Sequence, residues 1–143
     1  MSSSCSIADL WVSSRRVATL IEREAERVLN EKLGLSTTTY ALLSTLGSQP
    51  EHITQQSIAD LLGLTKSSIS RHMDAATAAG YIAPAAQPAS RRDRSVELTP
   101  LGLEALARAD EIVEAMMPGA ATDPDVAAAI RALTAVSATL ASR

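Results

Sequence analysis

Residues 65–72 read Thr-Lys-Ser-Ser-Ile-Ser-Arg-His, four hydroxyls and two cations within about two helical turns. Burying Ile69 leaves Lys66, Ser67, Ser68, Ser70 and Arg71 at or near the outer face, where short hydroxyls and cations can approach base edges and phosphates. Capping alone would account for Thr65, but it does not require three further serines. Further along, a loop running from Pro84 ends in Ser90-Arg91-Arg92-Asp93-Arg94. Guanidinium groups on a projecting loop suit the focused negative potential of a narrow minor groove, although many charged loops are simply solvated. His72 falls where an apolar anchor is usual and is read as a partly buried structural histidine.

Other chemistry is poorly served. His52 and His72 are far apart in sequence with no accompanying ligand pattern, and all six glycines are isolated, so neither a metal site nor a phosphate-cradling loop is expected. Cys5 has no acid-base partner beside it in sequence and sits in a Ser-rich terminus, which reads as an inert thiol. No catalytic residue, cofactor or metal is expected, and the chain is not read as an enzyme.

The elements needed to hold residues 65–72 outward are legible in the pattern. Apolar positions recur with a helical period from Ile7 to Leu33, with Gly34 marking the end of one long amphipathic helix. Ser36 caps a second helix, expected to close at Gly47, and Thr54 caps a third that carries Ile58, Leu61 and Leu62 to Gly63. Thr65 caps a fourth that ends at Gly80. Between these two, Ile58, Ala59, Leu62, Gly63, Leu64 and Ile69 supply the small crossing residue, turn residue and apolar anchors of a helix-turn-helix. That geometry serves DNA binding and also occurs in protein-interaction modules.

After Gly80, Tyr81–Ala83 and Ser95–Leu98 read as strands of a hairpin, with Pro84 and Pro88 keeping the connecting loop out of helix. Thr99-Pro100 opens a fifth helix, expected to stop at Pro118-Gly119, and Asp123-Pro124 opens a sixth. The expected fold is mainly α with a small β-hairpin wing: a winged helix-turn-helix with six helices in one domain, residues 1–143.

Bulk properties fit this reading. The 143 residues include one Trp, two Tyr and no Phe, so the core must be built from aliphatic side chains that bury little area each. A chain of this kind gains from burying a further face against a second copy. The formal charge of −3 is unevenly spread. Between Thr65 and Ser95 five basic residues face two acidic ones, a local +3, which leaves −6 on the remainder. Such segregation is expected when one lobe meets a polyanion. One cysteine, no secretory signal and no membrane-length apolar run imply a reducing, cytoplasmic setting.

Gly80-Tyr81-Ile82, the arginine-tipped hairpin and Val96-Glu97-Leu98-Thr99-Pro100-Leu101-Gly102 together resemble the MarR family of transcriptional regulators, and the likeness spans essentially the whole chain. The resemblance implies that Arg91 and Arg92 are wing arginines, with Arg94 beside them. It also implies that helices within 7–33 and 100–143 form a dimer interface around a DNA-binding lobe at 36–99, and that a small-molecule effector or an oxidant controls DNA binding. Two positions depart from the family pattern. Ser90 replaces the usual acidic residue before the wing arginines, and Pro84 and Ala85 replace basic residues on the descending strand.

The sequence therefore predicts a homodimeric regulator that binds double-stranded DNA at a pseudo-palindromic operator, a repressor by family habit. A winged-helix module that binds protein without DNA is the alternative. Trp11 and Tyr40 are candidates to line an effector pocket or to pack in the core.

Overall fold

The computed structural model describes residues 5–49, 53–85 and 95–143. Six α-helices and one hairpin occur in the expected order: α1 (Ile7–Leu33), α2 (Thr37–Ser48), α3 (Gln55–Leu62), α4 (Lys66–Ala78), β1 (Ile82–Pro84), β2 (Val96–Leu98), α5 (Pro100–Glu114) and α6 (Pro124–Ala141). Their starts follow from side-chain capping. The hydroxyls of Ser36, Thr54, Thr65 and Thr99 each accept a hydrogen bond from the backbone N–H three residues on, and Asp123 accepts from Asp125 and Val126. At α1 the arrangement is reciprocal, since Ser6 Oγ accepts from Asp9 N–H while the Asp9 carboxylate accepts from Ser6 N–H.

Three boundaries differ from the sequence reading. Helix α2 runs through Gly47 to Ser48, and Gly47 serves packing: a Cβ there would lie 2.7 Å from Leu106 Cδ2 of α5. Helix α5 stops at Glu114, before Pro118, because a proline ring obstructs the carbonyl four residues earlier, here that of Glu114. A short 3₁₀ turn at Ala120–Thr122 then leads into α6. Pro84, assigned to the loop, is the last residue of β1 opposite Val96. Thr99 N–H donates to Tyr81 O at one end of the ladder and Ala85 N–H to Ser95 O at the other. The alternation of an antiparallel pair then puts Pro84 at a position where no N–H is required.

Two apolar clusters organise the interior. Leu42 and Leu43 of α2, Ile58 and Ala59 of α3, Ile69, Met73 and Ala76 of α4, and Ile82 of β1 form the larger one. Ala25 and Leu29 of α1, Leu35 and Ala109 of α5 form the smaller. Tyr81 packs against both. Helix α5 joins them, its Ala105 and Leu106 lying on the first and its Ala109 inside the second.

The ends of the chain are different. Ile7, Trp11, Val12, Val17, Leu20 and Ile21 of α1 are all more than half exposed, and α6 has no buried residue at all. Ile130, Leu133 and Leu140 of α6 lie open to solvent. Trp11, a candidate core residue from sequence, is 63% exposed. Among the described residues no helix is long and apolar enough to cross a membrane.

Candidate nucleic-acid interface

Helices α3 and α4 are held at a fixed angle by residues chosen for size. Ile58, Ala59 and Ile69 are wholly inaccessible, and the absent bulk of Ala59 is what lets the two helices cross closely. Full burial of an Ile side chain contributes about 1.5–3 kcal/mol, so these anchors carry the unit's rigidity. The turn between them rests on Gly63, whose φ of +65° is a left-handed conformation costly for any side chain with a Cβ. From there Leu64 N–H returns to Ala59 O at 2.9 Å, and Thr65 caps α4 by accepting from Ser68 N–H at 3.1 Å.

With Ile69, Met73 and Ala76 turned inward, the opposite edge of α4 is set. Lys66, Ser67 and Arg71 are exposed, while Ser68, Ser70 and His72 are partly buried. The exposures match those expected of the inward residues and the two cations, His72 is partly buried, and Ser68 and Ser70 stand at the margin of the outward face. Among the described residues neither Lys66 nor Arg71 joins an ion pair; the ion pairs present link Arg27 to Glu24 and Glu31 on α1. Both cations lie on the N-terminal half of α4. There the helix dipole and the N–H groups of the first turn add positive potential, so the edge is suited to an anion. Arg91, Arg92 and Arg94, with Ser90, lie outside the described residues, as does His52.

The base of the wing is built by a joint that sequence reasoning does not find. Sequence identifies Thr99 only as a cap. Its hydroxyl accepts from Gly102 N–H at 3.0 Å and also donates to Gly80 O at 2.5 Å, across the chain. Gly102 is buried, and a Cβ on it would lie 2.9 Å from the Tyr81 carbonyl carbon and nearer still to its oxygen, so only glycine lets β1 pass this close to α5. A lone glycine inside an apolar helical pattern is the one signal that points to it.

Two polar contacts brace the scaffold. Glu26 of α1 accepts from Thr37 N–H at 2.8 Å, placing a carboxylate at the N-terminus of α2. Tyr40 Oη donates to Asp110 Oδ1 of α5 at 2.8 Å. Partial burial, that hydrogen bond and the charges of Asp110 and Glu114 together push the Tyr40 phenol up to about 12. Beside this scaffold a shallow groove of about 100 Å³ opens between Leu33, Leu35, Tyr81, Leu101 and Arg108. Among the described residues no cluster of His, Cys, Asp or Glu has the makings of a metal site, and Cys5 is exposed.

Comparison with known proteins adds to this geometry. Residues 33–93 match the sequence model of the MarR family. No curated protein matches the chain in sequence. Solved structures match its fold. AbfR of Staphylococcus epidermidis superposes with a TM-score of 0.78 at 18% identity, covering 95% of this chain and 93% of that one. The S. aureus MepR–DNA complex gives 0.71 at 19% identity, over 97% and 99% of the two chains. CouR from Rhodococcus jostii RHA1, bound to p-coumaroyl-CoA, gives 0.72 at 23% identity over 88% of each. Through residues 33–93 in sequence, and along nearly its whole length in fold, the chain carries the winged helix-turn-helix architecture of the MarR family of transcriptional regulators.

Proposed function

We propose that this chain is a DNA-binding transcriptional regulator without a catalytic centre, acting in the cytoplasm as a homodimer. The observation that carries the reading is the outward edge of α4: Lys66, Ser67 and Arg71 exposed at a helix N-terminus and anchored from behind by a fully buried Ile69. In this reading Lys66, Ser67, Ser68, Ser70 and Arg71 enter the major groove, and Arg91, Arg92 and Arg94 of the wing reach the adjacent minor groove. The partner's α4 docks about 34 Å away, one turn of the duplex, so the operator is pseudo-palindromic. Occupying it blocks a promoter, which makes the regulator a repressor.

The apolar residues left open on α1 and α6 support the dimer. Large apolar side chains left exposed in this number on two helices are what a protein–protein interface would cover. Segments 7–33 and 100–143 would supply the dimer contacts of a single 1–143 domain, with 36–99 as the DNA-binding lobe. Release by a small-molecule effector completes the proposal. Binding of p-coumaroyl-CoA by CouR supports it, as does a groove beside Tyr81, the residue that touches both apolar clusters.

Two measurements test this. Sedimentation equilibrium at micromolar concentration should give twice the 15.0 kDa chain mass. Selection from a random duplex pool should return an inverted repeat. A monomeric mass removes the dimer, and a pool that stays unenriched at low salt moves the chain to the protein-binding alternative.

A further inference from the structure

We propose that Thr99 is a positioning residue: its hydroxyl clasps the C-terminal end of α4 to the first turn of α5 and thereby fixes the angle at which the recognition helix is presented. The inference rests on the DNA-binding reading above and names the part of the fold that sets its geometry.

Four hydrogen bonds converge at one joint. Thr99 Oγ1 donates to Gly80 O, immediately after α4, and accepts from Gly102 N–H in α5. Thr99 N–H donates to Tyr81 O, and Tyr81 N–H in turn donates to Ala76 O within α4. A single hydroxyl oxygen thus bridges the two helices, donating to one side and accepting from the other. Only Ser or Thr supplies both functions at this reach, because a hydroxyl carries one proton and two lone pairs. The missing side chain of Gly102 allows the approach.

The joint matters because of what lies on either side of it. Helix α4 presents Lys66 and Arg71, whereas α5 is packed on Leu29 and Ala25 of α1 and leads on toward α6. Whatever orientation α5 takes in a dimer passes to α4 through this clasp, through the packing of α2 and through the hairpin, which touches α5 with β2 and α4 with β1. A cap alone would need only the bond from Gly102 N–H. The bond to Gly80 O contributes nothing to starting α5, and it is the short one, at 2.5 Å.

The experiment separates cap from clasp. Thr99→Asp keeps a capping acceptor for Gly102 N–H but has no proton for Gly80 O; Thr99→Ser keeps both; Thr99→Ala removes both and is read at a temperature where it is folded. In a Cys5→Ser background, a spin label on Asp74→Cys, an exposed position on α4, reports the distance between the two recognition helices of the dimer by pulsed electron resonance. Duplexes selected by the unsubstituted protein serve as probes, as a single half-site, as the full site, and as full sites with one or two base pairs inserted. Thr99→Asp should bind the half-site within about twofold of the parent, lose about tenfold or more on the full site, discriminate less among spacings, and broaden the distance distribution, with Thr99→Ser like the parent. Equal losses on half-site and full site, an unbroadened distribution in Thr99→Asp and Thr99→Ala, or the same defect in Thr99→Ser would each overturn the clasp. If the parent enriches no duplex, the DNA-binding reading fails by itself, and the distance distributions still decide the joint.

Discussion

Replacing Gly102 by alanine should be among the most damaging single-methyl additions available in this protein. In an ordinary helix interior Gly→Ala stabilises by about 1 kcal/mol. Here the added Cβ would sit 2.9 Å from the Tyr81 carbonyl carbon and 3.2 Å from its Cα, against an optimum carbon–carbon separation of about 3.5–4.0 Å. The obstructing atoms are backbone, so no rotamer change relieves the overlap. Either β1 leaves α5 by roughly half an ångström or more, lengthening the Thr99–Tyr81 ladder bond, or the helix shifts. Overpacking costs about 1–3 kcal/mol, and an overlap with backbone that no rotamer relieves belongs at the upper end, about 3 kcal/mol, so after the helix gain of about 1 kcal/mol a net loss of about 2 kcal/mol is left. Gly47→Ala is the matched control. Its added methyl would press on the tip of Leu106, with Leu98 Cδ1 in ordinary contact at 3.6 Å, and a side-chain end yields more readily than backbone, so its net effect should be the smaller one, within about 1 kcal/mol of zero. Urea unfolding followed by circular dichroism, at one fixed protein concentration, reads both. Gly102→Ala as stable as the parent, or less damaging than Gly47→Ala, would refute the close-approach argument.

The remaining expectations concern the DNA face and the scaffold. Arg91→Ala and Arg92→Ala should weaken binding to all sequences and reduce the slope of log K against log salt by about 0.9 for each phosphate no longer neutralised, measured by fluorescence anisotropy. Substituting Ser68 or Arg71 should change preference among operator variants instead, by about 1–3 kcal/mol where a hydrogen bond to a base edge is removed, read by competition titration. Tyr40→Phe should cost about 1 kcal/mol for the missing bond to Asp110. Because the folded phenol titrates near 12 and the unfolded one near 10, its contribution to stability is complete below pH 10 and fades as pH rises toward 12. A pH series of unfolding midpoints should show that decline in the parent and a shallower one in Tyr40→Phe.

Much of the architecture was legible because each element announces itself locally. Five capping hydroxyls or carboxylates and two N1 prolines fixed helix starts nearly to the residue, since capping is decided within four residues of chain. Helix ends were harder. Gly47 looked like a stop but is a packing surface for Leu106, a neighbour 59 positions away that no local pattern records. Leu61 shows the same limit: it keeps the apolar period of α3 and yet is 62% exposed, because the buried face of α3 is the one that carries Ile58 and Ala59. On the candidate site, burying Ile69 was enough to point Ser67 and Arg71 to the opposite face, as helical geometry requires, whereas Lys66, three residues before Ile69, is exposed at the first position of the helix. The double role of Thr99 was invisible, because Gly80 O reaches it only after the hairpin has folded back.

The DNA-binding function proposed for this chain depends on the outward edge of α4 meeting a polyanion. The most direct test is an anisotropy titration of a duplex selected by the unsubstituted protein, at several salt concentrations, with that protein and with a Lys66→Ala, Arg71→Ala double variant whose circular dichroism and mass match it. The double variant should bind at least about tenfold more weakly and with a salt slope lower by about one to two. Equal affinity and equal slope in the two proteins would place the DNA elsewhere on the molecule and contradict the assignment of α4 as the recognition helix.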